Sequence, residues 1–270
     1  MTRSLLLLLL ACPLFAAAQP GSLDPTFGTA GLVQTTINAN SSATSVAMQA
    51  DGKIVCAGTT EIYAMVARYL SEGSLDPAFG TDGIAQLDLQ YGQMRKVLVQ
   101  PDGKILTTGS SDVGTFLARF LPDGTLDGSF GVDGLVQADN EGGTDFPWDM
   151  VLRPDGRIVL LQSHSVGGVA SIQVAAYSAG GVLDASFGDQ GLYRLVSPAS
   201  TTYFPWAIAL QADGKALIGG VQTTPLQYRF VLRLNTDGTA DQSFGNGGYL
   251  NLTDIATAGV EDVDDLLVDD

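Results

Sequence analysis

Residues 63–70 read Tyr-Ala-Met-Val-Ala-Arg-Tyr-Leu, a run with few polar positions on either alternating face. Successive side chains of a strand point to opposite faces, so a strand that is apolar on both faces is buried on both. The core of this run, Met65-Val66-Ala67-Arg68-Tyr69, returns as Phe116-Leu117-Ala118-Arg119-Phe120, Gln173-Val174-Ala175-Ala176-Tyr177 and Phe230-Val231-Leu232-Arg233-Leu234. Three more short runs surround each copy. In the first unit these are Ser45 to Gln49, Lys53 to Gly58 and Ile84 to Leu89. The pattern predicts four short strands per unit, here lettered a to d. Asp51-Gly52 is predicted to join strands a and b through a type I′ turn.

Two signatures mark every unit. One is the Asp-Gly-Lys or Asp-Gly-Arg turn at Asp51, Asp102, Asp155 and Asp213, with spacings of 51, 53 and 58. The other is the six-residue "LDPTFG" type block between strands c and d. Its phenylalanines, Phe27, Phe79, Phe130, Phe187 and Phe244, are spaced 52, 51, 57 and 57. Periods of this size point to solenoids or propellers. Antiparallel four-stranded units covered on both faces predict an all-β fold of β-propeller blades. A β-sandwich would cover only one face of each sheet. The predicted division is a signal peptide at 1–18, a partial repeat (c–d turn and d strand) at 19–42, blades at 43–90, 91–140, 141–197 and 198–253, and the start of a fifth unit at 254–270. "GLVQTT" (Gly31 to Thr36) reads as the d strand of the N-terminal partial unit. The expectation is four whole blades with a fragment at each end, cut from a longer array.

The pattern carried by Asp51-Gly52-Lys53-Ile54, Arg68-Tyr69, Gly73-Ser74-Leu75-Asp76, Phe79-Gly80 and Gly83 resembles the delta-60 repeat of bacterial exported proteins. The resemblance runs through nearly all of the chain after the first 18 residues. It implies a β-propeller repeat at the cell surface or secreted, in a family with no established enzymatic activity. The third unit departs from the pattern with Ala176 in place of Arg and Gln162 in place of Gly. The fourth has Ala240 in place of Leu.

The N-terminus has a positive Arg3, an apolar run from Leu5 to Phe15 and small residues at Ala16-Ala17-Ala18, the layout of a secretory signal cut before Gln19. "LLAC" ending at Cys12 offers a lipoprotein site as the alternative. Net charge is −16, and loss of Arg3 makes it one unit more negative. Such a surface repels nucleic acid and anionic membranes. Beyond the signal no segment is long enough to span a bilayer. Cys56 stands alone once Cys12 is removed, so no internal disulfide forms, and its apolar neighbours predict a buried core thiol.

Asp24, Asp76, Asp127, Asp184 and Asp241 share one repeat position. They read as turn acceptors, and Asp76, Asp127 and Asp241 also meet an arginine eight residues earlier: Arg68, Arg119 and Arg233. Phe27, Phe79, Phe130, Phe187 and Phe244 read as anchors. The following Gly28, Gly80, Gly131, Gly188 and Gly245 sit where a Cβ would hinder. Asp123 to Gly128 faintly echoes a calcium loop, but position 12 is Gly134, so the motif fails; no cofactor is expected, with a weak, non-EF-hand calcium site as the alternative. The acidic end (Glu261, Asp262, Asp264, Asp265, Asp269, Asp270) reads as a solvated strand entry. His164, the only histidine, is expected in an exposed b–c loop and cannot form a multi-histidine metal site. No nucleophile elbow, P-loop or Cys-x-x-Cys occurs.

"FPW" occurs twice, at Phe146-Pro147-Trp148 and Phe204-Pro205-Trp206. With Asp149 and Tyr203 beside them, these aromatics form the candidate ligand patch. The function expected is a non-catalytic exported scaffold with a carbohydrate or protein ligand. A glycosidase or lyase at the propeller centre and a structural spacer are the alternatives. An enzyme would need paired carboxylates, and Asp149 is the one candidate.

Overall fold

Among the described residues sixteen strands fold in sequence order into four sheets of four, each antiparallel throughout. The computed structural model describes residues 21–37, 40–61, 63–112, 114–138, 143–197, 201–223, 228–252 and 266. The predicted signal segment and, apart from Leu266, the acidic end lie outside these residues. Blade 1 holds β1 (Ser42–Met48), β2 (Ile54–Thr59), β3 (Ala64–Tyr69) and β4 (Ile84–Leu87). Blade 2 holds β5 (Gln93–Val99), β6 (Ile105–Ser111), β7 (Gly114–Phe120) and β8 (Leu135–Gln137). Blade 3 holds β9 (Thr144–Leu152), β10 (Ile158–Val166), β11 (Val169–Tyr177) and β12 (Leu192–Val196). Blade 4 holds β13 (Tyr203–Leu210), β14 (Ala216–Gln222), β15 (Tyr228–Leu234) and β16 (Tyr249–Asn251).

The two-faced apolar strands do what their pattern predicts. Val55, Val66 and Phe79 of blade 1 share a core with Val97, Ile105 and Phe116 of blade 2. Leu106, Leu117 and Phe130 then meet Met150, Ile158 and Ala175 of blade 3. Val159, Val174 and Phe187 meet Ile208, Ile218 and Phe230 of blade 4. Each blade therefore has an incoming face toward the preceding unit and an outgoing face toward the next. The cores join consecutive blades only, so the described residues form an open arc.

The two signatures build this arc. At each a–b turn a single residue, the glycine, takes positive φ (Gly52 at 83°), and Asp51 does not. Gly52 N–H donates to Gln49 O at 3.0 Å and Gln49 N–H to Lys53 O at 2.8 Å. This is a three-residue loop closed by a glycine bulge, not the predicted two-residue type I′ turn, which needs positive φ twice.

At the c–d turn the phenylalanine and glycine lock onto the next blade. Gly80 N–H donates to Asp123 O at 2.7 Å, Gly131 N–H to Gly180 O at 2.9 Å and Gly188 N–H to Asp237 O at 2.7 Å. The acceptor precedes a glycine that has no room for a side chain. A Cβ on Gly124 would lie 2.6 Å from Gly80 N and 3.1 Å from the Phe79 ring.

The N-terminal unit repeats only this lock. Gly28 N–H donates to Glu72 O at 2.8 Å, and Phe27 packs beside Gly73. The predicted d strand at Gly31 to Thr36 does not form. Only an isolated bridge, Thr29 to Leu32, is present there. No c strand lies beside the segment among the described residues, so its backbone groups have no ladder to join.

Two further expectations change. His164 lies within β10 and is buried, paired across the sheet with Asp145 and Ser171. The cause is the longer b–c hairpin of blade 3, whose strands run nine residues each and carry His164 inside the sheet. Cys56 is half-buried instead of fully buried, because its side chain sits on the incoming face of blade 1, where no preceding blade packs among the described residues.

Candidate functional site

Strands β1, β5, β9 and β13 lie along the inner edge of the arc, and each is broken by a bulge at one equivalent place. The register skips Thr44 in blade 1, Arg95 in blade 2, Trp148 in blade 3 and Trp206 in blade 4. A bulge leaves one residue out of the ladder and re-aims its side chain. Four re-aimed side chains thus form a row along the inner edge.

Neighbours in the row touch. Thr44 Oγ1 donates to Met94 O at 2.8 Å, and Arg95 Nε donates to Pro147 O at 3.4 Å. The Arg95 guanidinium lies over Phe146 at 4.4 Å and over Trp148 at 5.2 Å from the ring centroids. Trp148 meets Phe146 edge-on at 5.2 Å, Trp206 at 5.2 Å and Phe204 at 6.5 Å. Trp148 Nε1 donates to Ser163 Oγ at 3.2 Å, which fixes the indole. Partial burial pushes the Arg95 guanidinium below its ordinary pKa. The result is a partly exposed aromatic platform with a cation at one end.

Four of the six candidate patch residues, Phe146, Trp148, Phe204 and Trp206, come together here. The other two do not. Asp149 is buried and engaged: it accepts from Met150 N–H at 2.8 Å and Ile208 N–H at 3.1 Å, and pairs with Lys96 Nζ at 2.7 Å. It ties the inner strands of blades 2, 3 and 4 together. Tyr203 turns inward, edge-on to Phe230 at 5.6 Å. Arg95 and Thr44 were not legible as members of the row, because the residue type changes at that position in every unit. The signal available was positional, five residues before the Gln or Arg that starts each a–b turn.

The repeat aspartates make a second, structural constellation. Asp76 Oδ1 accepts from Ala78 N–H at 3.0 Å, and Asp127, Asp184 and Asp241 accept equivalently from Ser129, Ser186 and Ser243. Asp24 accepts from Thr26 N–H at 2.9 Å. The other oxygen receives cations. Arg68 Nε, Arg119 Nε and Arg233 Nε lie 2.9, 2.8 and 2.8 Å from Asp76, Asp127 and Asp241. The turn lysines Lys53, Lys104 and Lys215 reach the same oxygens at 3.2, 3.0 and 2.9 Å. The Ser129 hydroxyl, with the Lys104 and Arg119 charges, holds Asp127 well below the usual carboxylate range against the opposing effect of burial. Each guanidinium also lies over its own block's phenylalanine: Arg68 on Phe79, Arg119 on Phe130 and Arg233 on Phe244.

His164 Nδ1 lies 2.5 Å from Asp145 Oδ1, and the pair is buried in blade 3. Across the strand, Ser171 Oγ contacts the His164 carbonyl and not its ring. Among the described residues no group of three or more His, Cys, Asp and Glu side chains is placed to hold a metal ion. In the calcium-like stretch, Asp123 Oδ1 already accepts from Thr125 N–H and its hydroxyl at 2.9 and 2.6 Å.

Residues 49–79, 100–130 and 211–244 match the family described as a domain of unknown function (DUF5122) beta-propeller. Each matched stretch runs from the end of an inner strand through the phenylalanine of the c–d block. The chain is built of propeller-type repeats. Blade 3, which lacks the c-strand arginine, falls outside the match. No curated protein matches the sequence.

Among solved structures, a catalytically inactive virginiamycin B lyase from Staphylococcus aureus, crystallised with quinupristin, is 12% identical with a TM-score of 0.46, over 77% of this chain and 71% of that one. A protein of unknown function from Dyadobacter fermentans is 12% identical with a TM-score of 0.47, over 74% and 67%. A quinonprotein alcohol dehydrogenase-like protein from Bacteroides thetaiotaomicron is 14% identical with a TM-score of 0.46, over 77% of this chain and 45% of that one. Among the described residues no helix is long and apolar enough to cross a membrane.

Proposed function

We propose that this chain is an exported, non-catalytic binding module of the delta-60 repeat type, secreted or held at the cell surface. The bulge row carries the reading. It gathers Arg95, Phe146, Trp148, Phe204 and Trp206 on one edge of a scaffold otherwise devoted to blade packing. Aromatic faces of this kind suit the apolar face of a sugar ring, and Arg95 adds a cation for an acidic or hydroxyl-rich partner. A protein ligand with an exposed aromatic or acidic loop is served by the same chemistry. The signal-like N-terminus supports export, and the net charge of −16 argues against nucleic acid as the partner.

Screening of the full chain against a glycan array and a panel of surface proteins tests this. Binding that falls about tenfold or more in Trp206→Ala, and persists in Tyr203→Phe, is the expected result. No binding in either screen, or equal binding by wild type and Trp206→Ala, would overturn it.

A further inference from the structure

The three blade-to-blade interfaces are copies of one another, and the described residues leave one copy of each half unused. On incoming faces Val97, Met150 and Ile208 are 1, 0 and 4% exposed. Their counterpart in blade 1, Val46, is 66% exposed, and Met48 nearby is 74% exposed. Cys56 lies on this same face. Its counterparts Leu160 and Ile218 are buried.

The outgoing face of blade 4 is the other half. Leu217, Val231 and Phe244 are partly exposed, where Val55, Val66 and Phe79 in blade 1, and the equivalents in blades 2 and 3, are buried. In the three filled interfaces an arginine also bridges to a carbonyl of the next blade: Arg68 to Pro122, Arg119 to Ala179 and Arg153 to Thr236. Arg233 stands in the equivalent place in blade 4 and keeps the same contact to its own turn, Nη2 to Ser243 at 3.3 Å as Arg119 Nη2 to Ser129, with no next-blade carbonyl beside it among the described residues.

We propose that the outgoing face of blade 4 docks on the incoming face of blade 1 of a second copy of this chain, so that copies associate head to tail. The two faces are complementary because they repeat, in shape and donor pattern, an interface the chain already makes three times within itself. Leu23–Gly28 is the built-in competitor. Its Phe27-Gly28 fills the turn socket at Glu72-Gly73 that Phe244-Gly245 of the incoming copy would use. The residues that follow it reach over part of the face, where Tyr69 Oη donates to Thr35 Oγ1 at 2.9 Å and Ile37 lines a pocket with Cys56 and Met65, but Val46 and Met48 stay uncovered. Docking exchanges one Phe-Gly lock for another, displaces Thr35 and Ile37 from the face, and adds the burial of Val46, Met48, Leu217 and Val231. Two such contacts close a ring, and continued addition makes a filament.

Sedimentation of the full chain across a concentration series, with the rate of maleimide labelling at Cys56, tests the proposal. The expected result is mass rising above 28.1 kDa with concentration, while Cys56 labelling slows roughly threefold or more, as mass action requires. Val46→Asp and Phe244→Asp, both at exposed or partly exposed positions, should each abolish both effects with unchanged circular dichroism. Phe27→Ala should shift association to lower concentration. A constant monomer mass, with Cys56 labelling independent of concentration in wild type and Phe27→Ala, would overturn the proposal. So would a monomer with Cys56 protected at every concentration, which would mean that the chain covers this face itself.

Discussion

Lys104 Nζ and Asp127 Oδ2 lie 3.0 Å apart, joining the Asp-Gly-Lys turn of blade 2 to its "LDGSFG" block. The two signatures of the repeat recur with one period because they are two halves of one contact. Arg119 completes it, and the same three-residue cluster occurs in blades 1 and 4.

Asp127→Asn should lower stability by about 1–3 kcal/mol, since Arg119 stays buried without its anion while Lys104 regains water. A urea titration against wild type measures this. A midpoint unchanged within error would show that the cluster is incidental to stability.

Stability should fall with acid in a defined window. Asp76, Asp127 and Asp241 titrate below their ordinary value of 3.8 in the fold. The unfolded chain therefore binds more protons than the folded one at low pH. The stabilisation is complete above the unfolded value and is lost as pH falls below it toward the folded values. Urea midpoints measured from pH 7 to pH 2 should drop in the lowest part of the range. The drop should flatten in a variant with all three aspartates changed to asparagine.

Gly124→Ala should cost roughly 2 kcal/mol or more, because φ is +88° and the new Cβ would meet the Gly80 amide. Gly128→Ala, four residues on, meets nothing within 4 Å and has no such backbone constraint. It should stay within about 0.5 kcal/mol of wild type. Thermal unfolding of the pair separates the inter-blade lock from a general effect of adding a methyl group.

Blade 3 replaces its missing arginine from its a–b turn. Arg157 pairs with Asp184 at 3.2 Å, while Arg153 lies over Phe187 at 5.8 Å and donates to Thr236 O at 2.8 Å. Arg153→Ala should therefore destabilise by about 1–3 kcal/mol. Adding Ala176→Arg should restore much of the loss, because it returns the side chain to the place used in blades 1 and 2. A double-mutant cycle on urea midpoints checks this, and strictly additive effects would refute the exchange.

The same unit shows a second exchange that the sequence displayed without explaining. Gly109 and Gly220 each face the ring of Phe116 or Phe230, where a Cβ would come within 2.7 Å. Blade 3 has Gln173 in place of the phenylalanine, and Gln162 fills the space as its buried hydrogen-bond partner. Two apparent lapses of the repeat are one compensated change.

Alternation and period by themselves determined the blades, their order and the buried strand faces, because those depend on local side-chain direction and on which residues must leave water. They also marked the aspartates, phenylalanines and glycines that recur. Only the tertiary structure decided which residues share the inner edge. Thr44, Arg95, Trp148 and Trp206 are chemically unlike, so no repeat of letters links them, and a bulge at a common register point does. It likewise withdrew Asp149 and Tyr203 from the patch, brought His164 inside β10 and left Gly31 to Thr36 without a strand partner. In each case the outcome turned on what another strand, distant in sequence, offered as a partner or failed to offer. Such contacts have no signature along the chain.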